Sequence, residues 1–399
     1  PSRCPPCADD DGDAPLAKRQ IPVIVLAGFL GSGKTTLLNH LLRRAGGSRI
    51  GAVVNDFGSV EIDAMTVAGQ VDSMVSLGNG CLCCAVDTSE LDDYLDRLAR
   101  PAARIDVIVI EASGLAEPQE LIRMILASEN QHIVYGGLVE VVDAAEFART
   151  RAAHPELDRH LGLADLVVLN KADRVAEAER TDLLATLAGL APGRPVLPAS
   201  YGRVDPELLF DRRPREDRLE AVRQLSFEDL VADDGDDDHA HDHEHADHSG
   251  HLHAAYDSLS FVADAPMNPR RLLDFLDSRP PGLYRIKGFV RFDVPGSRQK
   301  FTLHAVGDFL RFYPSPWARD EERLTQLVLI GSGIDTEALR KELEACRDTE
   351  AAAQAAGEET MWGVLRYVQD PEEQGDPQEH HEPAPGAHDD LGERADVWP

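Results

Sequence analysis

Three short motifs in this chain carry recognisable chemistry. The first is Gly28-Phe29-Leu30-Gly31-Ser32-Gly33-Lys34-Thr35-Thr36, which spells G-x-x-x-x-G-K-T. Loops of that pattern wrap backbone N–H groups around a polyphosphate, and the helix that follows adds its partial positive charge. Gly28, Gly31, Ser32, Gly33 and Thr36 are therefore candidate phosphate-binding residues. Lys34 is placed to bridge the outer phosphates, and the Thr35 hydroxyl to bind Mg²⁺. The second is Glu111-Ala112-Ser113-Gly114, an E-x-x-G sequence. An acidic residue in that position holds Mg²⁺ directly or through water, and the Gly114 N–H can touch a terminal phosphate. The third is Asn170-Lys171-Ala172-Asp173, an N-K-x-D sequence. Asp173 can accept two hydrogen bonds from guanine, Asn170 can bond the base edge and neighbouring loops, and the Lys171 stem can cover the ring. Adenine would leave Asp173 unpaired, and sites of that kind discriminate by roughly 10⁴. The expected ligand pair is GTP with Mg²⁺.

A second group of residues points to softer metals. Gly78-Asn79-Gly80 leads into Cys81-Leu82-Cys83-Cys84. Three thiols so close can converge on one ion, and thiolates favour zinc or Cu(I) over magnesium. Upstream, Asn55-Asp56-Phe57-Gly58 opens a segment that faces the γ-phosphate in phosphate-loop proteins, which makes Asp56 a candidate catalytic acid and the segment a natural switch. His239, His241, His243, His245, His248, His251 and His253 alternate with Asp, Glu and Ala. Imidazoles at that density hold Zn²⁺, Co²⁺ or Ni²⁺ weakly and in several geometries. Cys4-Pro5-Pro6-Cys7 supplies only half of a zinc site.

The elements that must position these residues read as an alternating α/β chain. Ile21–Ala27 is a β-branched apolar run suited to a buried parallel strand. A helix starting within Leu37–Leu42 and a strand over Ile50–Val54 follow it. The chain to residue 80 reads as loop, with short apolar runs such as Val71–Leu77. A helix is expected over Leu91–Arg100, and strands over Arg104–Ile110, Gly136–Asp143, Leu166–Leu169 and Pro195–Ala199. Ser200-Tyr201-Gly202 forms a loop that could back the guanine. Residues 256–346 read as a small α+β unit: a strand over Asp257–Val262, a helix over Asn268–Ser278, strands over Leu283–Phe292, Gln299–Val306, Phe309–Phe312 and Gln326–Ile330, and a helix over Thr336–Cys346. Met361–Val368 could add an edge strand.

Composition bounds the whole. A chain of 399 residues allows two domains with connectors. The expected division is a leader over 1–20, a phosphate-loop domain over 21–227, a His/Asp-rich disordered linker over 228–255, the α+β domain over 256–346, and an extension with an acidic tail over 347–399. The net charge of −31 is concentrated. Residues 228–253 hold ten Asp/Glu and no Lys/Arg, and residues 370–399 hold ten against Arg394 alone. An acidic surface argues against a nucleic-acid partner. No apolar run is long enough to cross a membrane, and no secretory h-region stands near the first residue. Cytoplasm is the expected compartment. Three of six cysteines within four residues suit a metal or redox site better than a disulfide framework.

Taken together, the phosphate loop, the Cys81-Leu82-Cys83-Cys84 cluster, the Glu111–Gly114 motif and the N-K-x-D motif resemble the CobW family of metal-handling GTPases, over roughly residues 20–346. The resemblance implies a P-loop NTPase domain with a mainly parallel sheet flanked by helices, plus a small α+β C-terminal domain. It also implies a GTP-hydrolysing metallochaperone that carries zinc, or in some branches cobalt, to a client metalloprotein. Where the family usually carries N-E-F-G-E, this chain has Asn55-Asp56-Phe57-Gly58-Ser59, with one carboxylate shortened and one lost. The expected mechanism has GTP and Mg²⁺ ordering the segment that ends in the cysteines, and hydrolysis releasing the ion. Two other readings stay open: a His-rich zinc buffer with a slow or vestigial GTPase, and a regulatory GTPase with redox-sensing cysteines. The client, the physiological metal and the choice between monomer and homo-oligomer are likewise open.

Overall fold

A computed structural model of the protein describes residues 20–55, 74–77, 88–114, 117–211 and 256–368. Cys4, Cys7, Asp56, Cys81, Cys83, Cys84, the seven histidines from His239 to His253 and the acidic tail all lie outside the described residues.

The first half of the chain builds a seven-stranded, wholly parallel sheet. Its strands are β1 (Ile21–Ala27), β2 (Ile50–Asn55), β3 (Met74–Leu77), β4 (Val107–Glu111), β5 (Ile133–Asp143), β6 (Leu166–Asn170) and β7 (Val196–Pro198), in the spatial order β3-β2-β4-β1-β5-β6-β7. The central strands β1, β4, β5 and β6 are buried almost end to end, as parallel strands covered on both faces must be. On one face, Leu37, Leu38 and Leu41 of helix α1 (Lys34–Arg43) pack against Ile24, Leu26, Val139 and Val141. On the other, helices α2 (Thr88–Ala99) and α3 (Pro118–Ala127) bury Leu91, Leu95, Leu98, Leu121 and Ile125 against Val23, Val25, Ile108 and Ile110. Helices α4 (Phe147–Ala153), α5 (Leu157–Leu163) and α6 (Glu177–Leu190) complete that side over β5 and β6. A short helix, α7 (Pro206–Leu209), capped by the Asp205 carboxylate on the Glu207 N–H, ends this part.

The second part is a five-stranded antiparallel sheet in the order β11-β10-β9-β12-β8, formed by β8 (Asp257–Ala263), β9 (Leu283–Val290), β10 (Lys300–Val306), β11 (Phe309–Ser315) and β12 (Thr325–Gly331). Along β8 buried and exposed residues alternate, the mark of a sheet with one covered face. Helices α8 (Pro269–Asp277) and α9 (Thr336–Ala345) cover it, capped by Asn268 and Asp335. Phe261, Phe292, Phe301 and Phe312 lie in that core.

Two expectations needed revision. Residues 74–77 are not loop but the edge strand β3, parallel to β2 with Asn55 opposite Leu77. Residues 361–368 are not a strand: a 3₁₀ turn over Glu358–Met361 runs into a helical turn over Trp362–Leu365, and only Val368 bridges to Phe312.

The two sheets share a core. Tyr284, Val306 and Ile330 of the second pack among the α1-side residues of the first. Polar groups pin the seam. The His304 imidazole meets the Tyr135 carbonyl at 3.0 Å, and the Tyr135 hydroxyl donates to Asp165 at 2.6 Å. The Gly282 N–H donates to Gly193 O at 2.8 Å. The Arg285 guanidinium, only 4% exposed, donates to Leu209 O at 3.1 Å. Lys287 pairs with Asp211.

Candidate functional site

Parallel strands all end at the same side of a sheet, and ligands in such folds bind beyond that carboxyl edge. Here the edge is set by the register. Leu26 stands opposite Glu111, Ala27 opposite Glu140, and Asp143 opposite Asn170. All three motifs therefore leave the sheet side by side.

The phosphate loop connects β1 to α1. Gly28, Gly31 and Gly33 have φ of 137°, 78° and 104°, and Gly33 is the N-cap of α1. A β-carbon on Gly33 would lie 2.2 Å from the Asn170 amide nitrogen, so glycine is required both by conformation and by the closeness of β6. No side chain caps α1 and no acid occupies its first turn, which leaves its N-terminal N–H groups for an anion. Lys34, 6% exposed, curls back over the loop and donates to Gly28 O at 2.8 Å and Phe29 O at 3.4 Å. The Thr35 hydroxyl donates to Glu111 Oε1 at 2.7 Å. A hydroxyl and a carboxylate meeting beside a phosphate loop are hard oxygen donors, which suit Mg²⁺. Thr35 and Glu111 would hold that ion, directly or through water, and its charge would neutralise the phosphates.

Gly114, three residues beyond Glu111, closes against the loop itself. A β-carbon there would sit 2.6 Å from Leu30 N and 2.9 Å from Leu30 Cα. The glycine of the E-x-x-G motif thus has a packing reason to be glycine, besides the N–H that the sequence suggested.

The N-K-x-D residues divide their work. Asn170 is a tie between loops: its amide donates to Ser32 O at 2.9 Å and its carbonyl accepts from Gly202 N at 2.9 Å. Lys171, in the left-handed region with φ 57°, donates to Gly31 O at 2.7 Å and to Asp143 at 2.6 Å. Its stem therefore lies alongside the phosphate loop. Asp173 sits exposed in a 3₁₀ turn over Ala172–Arg174, where its carboxylate can meet a base. Tyr201, 67% exposed with φ 56°, stands on the Ser200–Gly202 loop that Asn170 ties down.

The sequence reading gave no role to Asp143, the partner of Lys171, or to Glu140. In the sequence Asp143 is simply the end of an expected strand. Glu140 had a visible signal, a lone charge inside the apolar run Val139–Val142.

Among the described residues no group of three or more Cys, His, Asp or Glu could hold a metal ion. The described cysteine, Cys346, is buried at the end of α9, hydrogen-bonded to the Glu342 carbonyl, and its thiol is pushed up to about 11 by burial. It is a packing residue.

Two family models match this chain. Residues 22–198 match the CobW/HypB/UreG nucleotide-binding domain, and residues 256–347 match the cobalamin synthesis protein CobW C-terminal domain. A Pseudomonas aeruginosa protein described as zinc chaperone CobW is 32% identical over 82% of this chain and 91% of its own length. The chain belongs to the CobW family. A Sinorhizobium protein of the same description is 30% identical, over 82% of this chain and 97% of its own. The Escherichia coli protein described as zinc chaperone YjiA is 28% identical, over 80% and 96%. Like other members of the family, this protein is a GTPase of the phosphate-loop class. No helix among the described residues is long and apolar enough to cross a membrane.

Proposed function

We propose that this CobW-family GTPase is a metallochaperone that takes zinc on Cys81, Cys83 and Cys84 and gives it up to a client protein when GTP is hydrolysed. The observation that carries the reading is the position of β3. That strand runs parallel to β2 and ends at Leu77, on the edge of the sheet from which the phosphate loop and Glu111 also emerge. Cys81 follows four residues later in sequence, and four residues span at most about 14 Å. That short reach from the carboxyl edge supports a role for the cysteines in the nucleotide cycle. The relatives described as zinc chaperones support the choice of ion, as does the preference of thiolates for zinc over magnesium.

In this reading Lys34 and the α1 N-terminus hold the phosphates, and Thr35 and Glu111 hold Mg²⁺. Asp173 selects guanine, while Asn170 and Lys171 hold the loops together. Asp56 lies on the segment that senses the γ-phosphate. Thiolates bind metal in their deprotonated form, so loading zinc releases protons. The histidines from His239 to His253 add weak sites that feed the tight one. Cobalt remains an alternative cargo for the same thiolates.

The competing reading makes the His run the principal zinc site. One comparison separates them. Replacing Cys81, Cys83 and Cys84 by Ser should abolish the tightest zinc site measured by competition with an indicator. Deleting residues 236–253 should lower only the total zinc bound in excess metal. Loss of the tightest site in the deletion, with its survival in the Ser variant, would favour the buffer.

A further inference from the structure

Glu140 lies in the middle of β5 and is fully buried, at 0% exposure. Among the described residues neither of its carboxylate oxygens has a hydrogen-bond partner. It stands opposite Ala27, the residue from which the phosphate loop departs. A buried, unpaired carboxylate at this position is expensive, and a hydrophobic residue would fill the strand without that cost. The nucleotide chemistry described above makes no use of it.

Among the described residues, the charge that acts on it is that of Lys34. On its own sheet, β1 and β6 contribute no ionisable side chain beside it, and Asp143 on β5 is paired with Lys171. Helices α3, α4 and α5 cover the face of β5 to which Leu138 and Val142 belong, the face that Glu140 shares by strand alternation. Charges on and beside them pair with one another: Glu120 with Arg123, Arg149 with Glu146, Arg151 with Asp158, His154, whose ring packs on Phe29, with Glu156, and Arg159 and His160 with Glu117. The Lys34 ammonium lies on the Gly28 and Phe29 carbonyls just beyond β1. Burial pushes the Glu140 carboxyl up to about 8, and Lys34 is the charge that pulls it the other way.

We propose that Glu140 is a positioning residue that acts through Lys34, and that nucleotide binding is coupled to proton uptake at this carboxylate. In the free protein an ionised Glu140 holds part of the Lys34 field. Nucleotide phosphates engage the same ammonium and bring negative charge toward Glu140. Both changes disfavour the carboxylate, so it takes a proton from solvent. By linkage, nucleotide affinity falls as pH rises through the range in which free Glu140 ionises, approaching a tenfold loss per pH unit above it. The coupling depends on the phosphate loop and is independent of zinc.

The test is calorimetry of Mg²⁺-GDP binding to the full-length, zinc-free protein at pH 8, in two buffers of different ionisation enthalpy. A fraction of a proton should be taken up per GDP at pH 8, more at pH 9 and less at pH 7, since burial raises the free carboxyl into that range. Glu140→Gln, isosteric and uncharged, should abolish the uptake and flatten the dependence of GDP affinity on pH between 7.5 and 9. Glu140→Met is the second variant, suited to the apolar site. In the wild-type protein labelled with ¹³C-glutamate, the infrared band of a protonated carboxyl should grow when GDP is added at pH 8. An unchanged band, no proton uptake by the wild-type protein, or equal uptake in either folded variant would overturn the proposal.

Discussion

Asp173 is exposed on its 3₁₀ turn, while the other two named residues of its motif are committed to loops: Asn170 to Ser32 and Gly202, Lys171 to Gly31 and Asp143. In the proposed reading base selection falls on the one carboxylate. Asp173→Asn replaces an acceptor oxygen with a donor facing the guanine N1–H and amine. GTP affinity should fall about a hundredfold, the consequence of roughly 2–3 kcal/mol for a polar group left unpaired. Xanthosine nucleotides, which offer a carbonyl in place of the amine, should gain. Competition binding with GTP, ATP and XTP checks this, and an unchanged preference for GTP in the variant would remove Asp173 from the base site. The motif residues were legible because nucleotide chemistry fixes residue types at fixed spacings. Their division of labour was not, since the Asn170 ties reach Ser32 and Gly202, at sequence separations of 138 and 32.

Strand β10 meets the amino-terminal end of β5 through His304, whose ring lies against the Tyr135 carbonyl. Burial and then the Arg285 charge hold this imidazole down at about 4. An unfolded histidine titrates near 6.5, so between those values the unfolded chain binds more protons than the folded one. The seam keeps its full stability above pH 6.5 and loses it as pH falls toward 4, by roughly 2–4 kcal/mol. His304→Gln should flatten the dependence of melting temperature on pH between 6.5 and 4.5. An acid slope equal to that of the wild type would contradict the assignment. Elements with long apolar runs, such as β1 and β5, could be read from sequence because both faces are buried. The four-residue β3 could not, since its pairing with β2 is what makes it a strand. Residues 361–368 misled for a different reason. Met361 and Val364, three apart, turn inward while Trp362 and Leu365 stay exposed, a helical spacing too short to distinguish from strand alternation.

At the level of the molecule, one carboxyl edge gathers the phosphate loop, the hydrogen-bonded pair Thr35 and Glu111 proposed to hold Mg²⁺, the N-K-x-D turn proposed to read guanine, and the strand leading to Cys81. The second sheet is locked to the opposite side of the same core through Tyr284, Val306 and Ile330, so nucleotide-dependent changes should concentrate at that edge. If GTP orders the segment bearing Cys81, Cys83 and Cys84, it lowers the entropy cost of gathering three thiolates. Linkage then requires zinc to tighten GTP by the same factor that GTP tightens zinc. The most direct test is a competition titration with a zinc indicator, run with a non-hydrolysable GTP analogue and with GDP. Zinc should bind roughly 5–150-fold more tightly with the GTP analogue, the span of about 1–3 kcal/mol of coupling, and the difference should vanish when all three cysteines are Ser. Equal zinc affinity in the two nucleotide states would contradict a GTP-driven metal carrier.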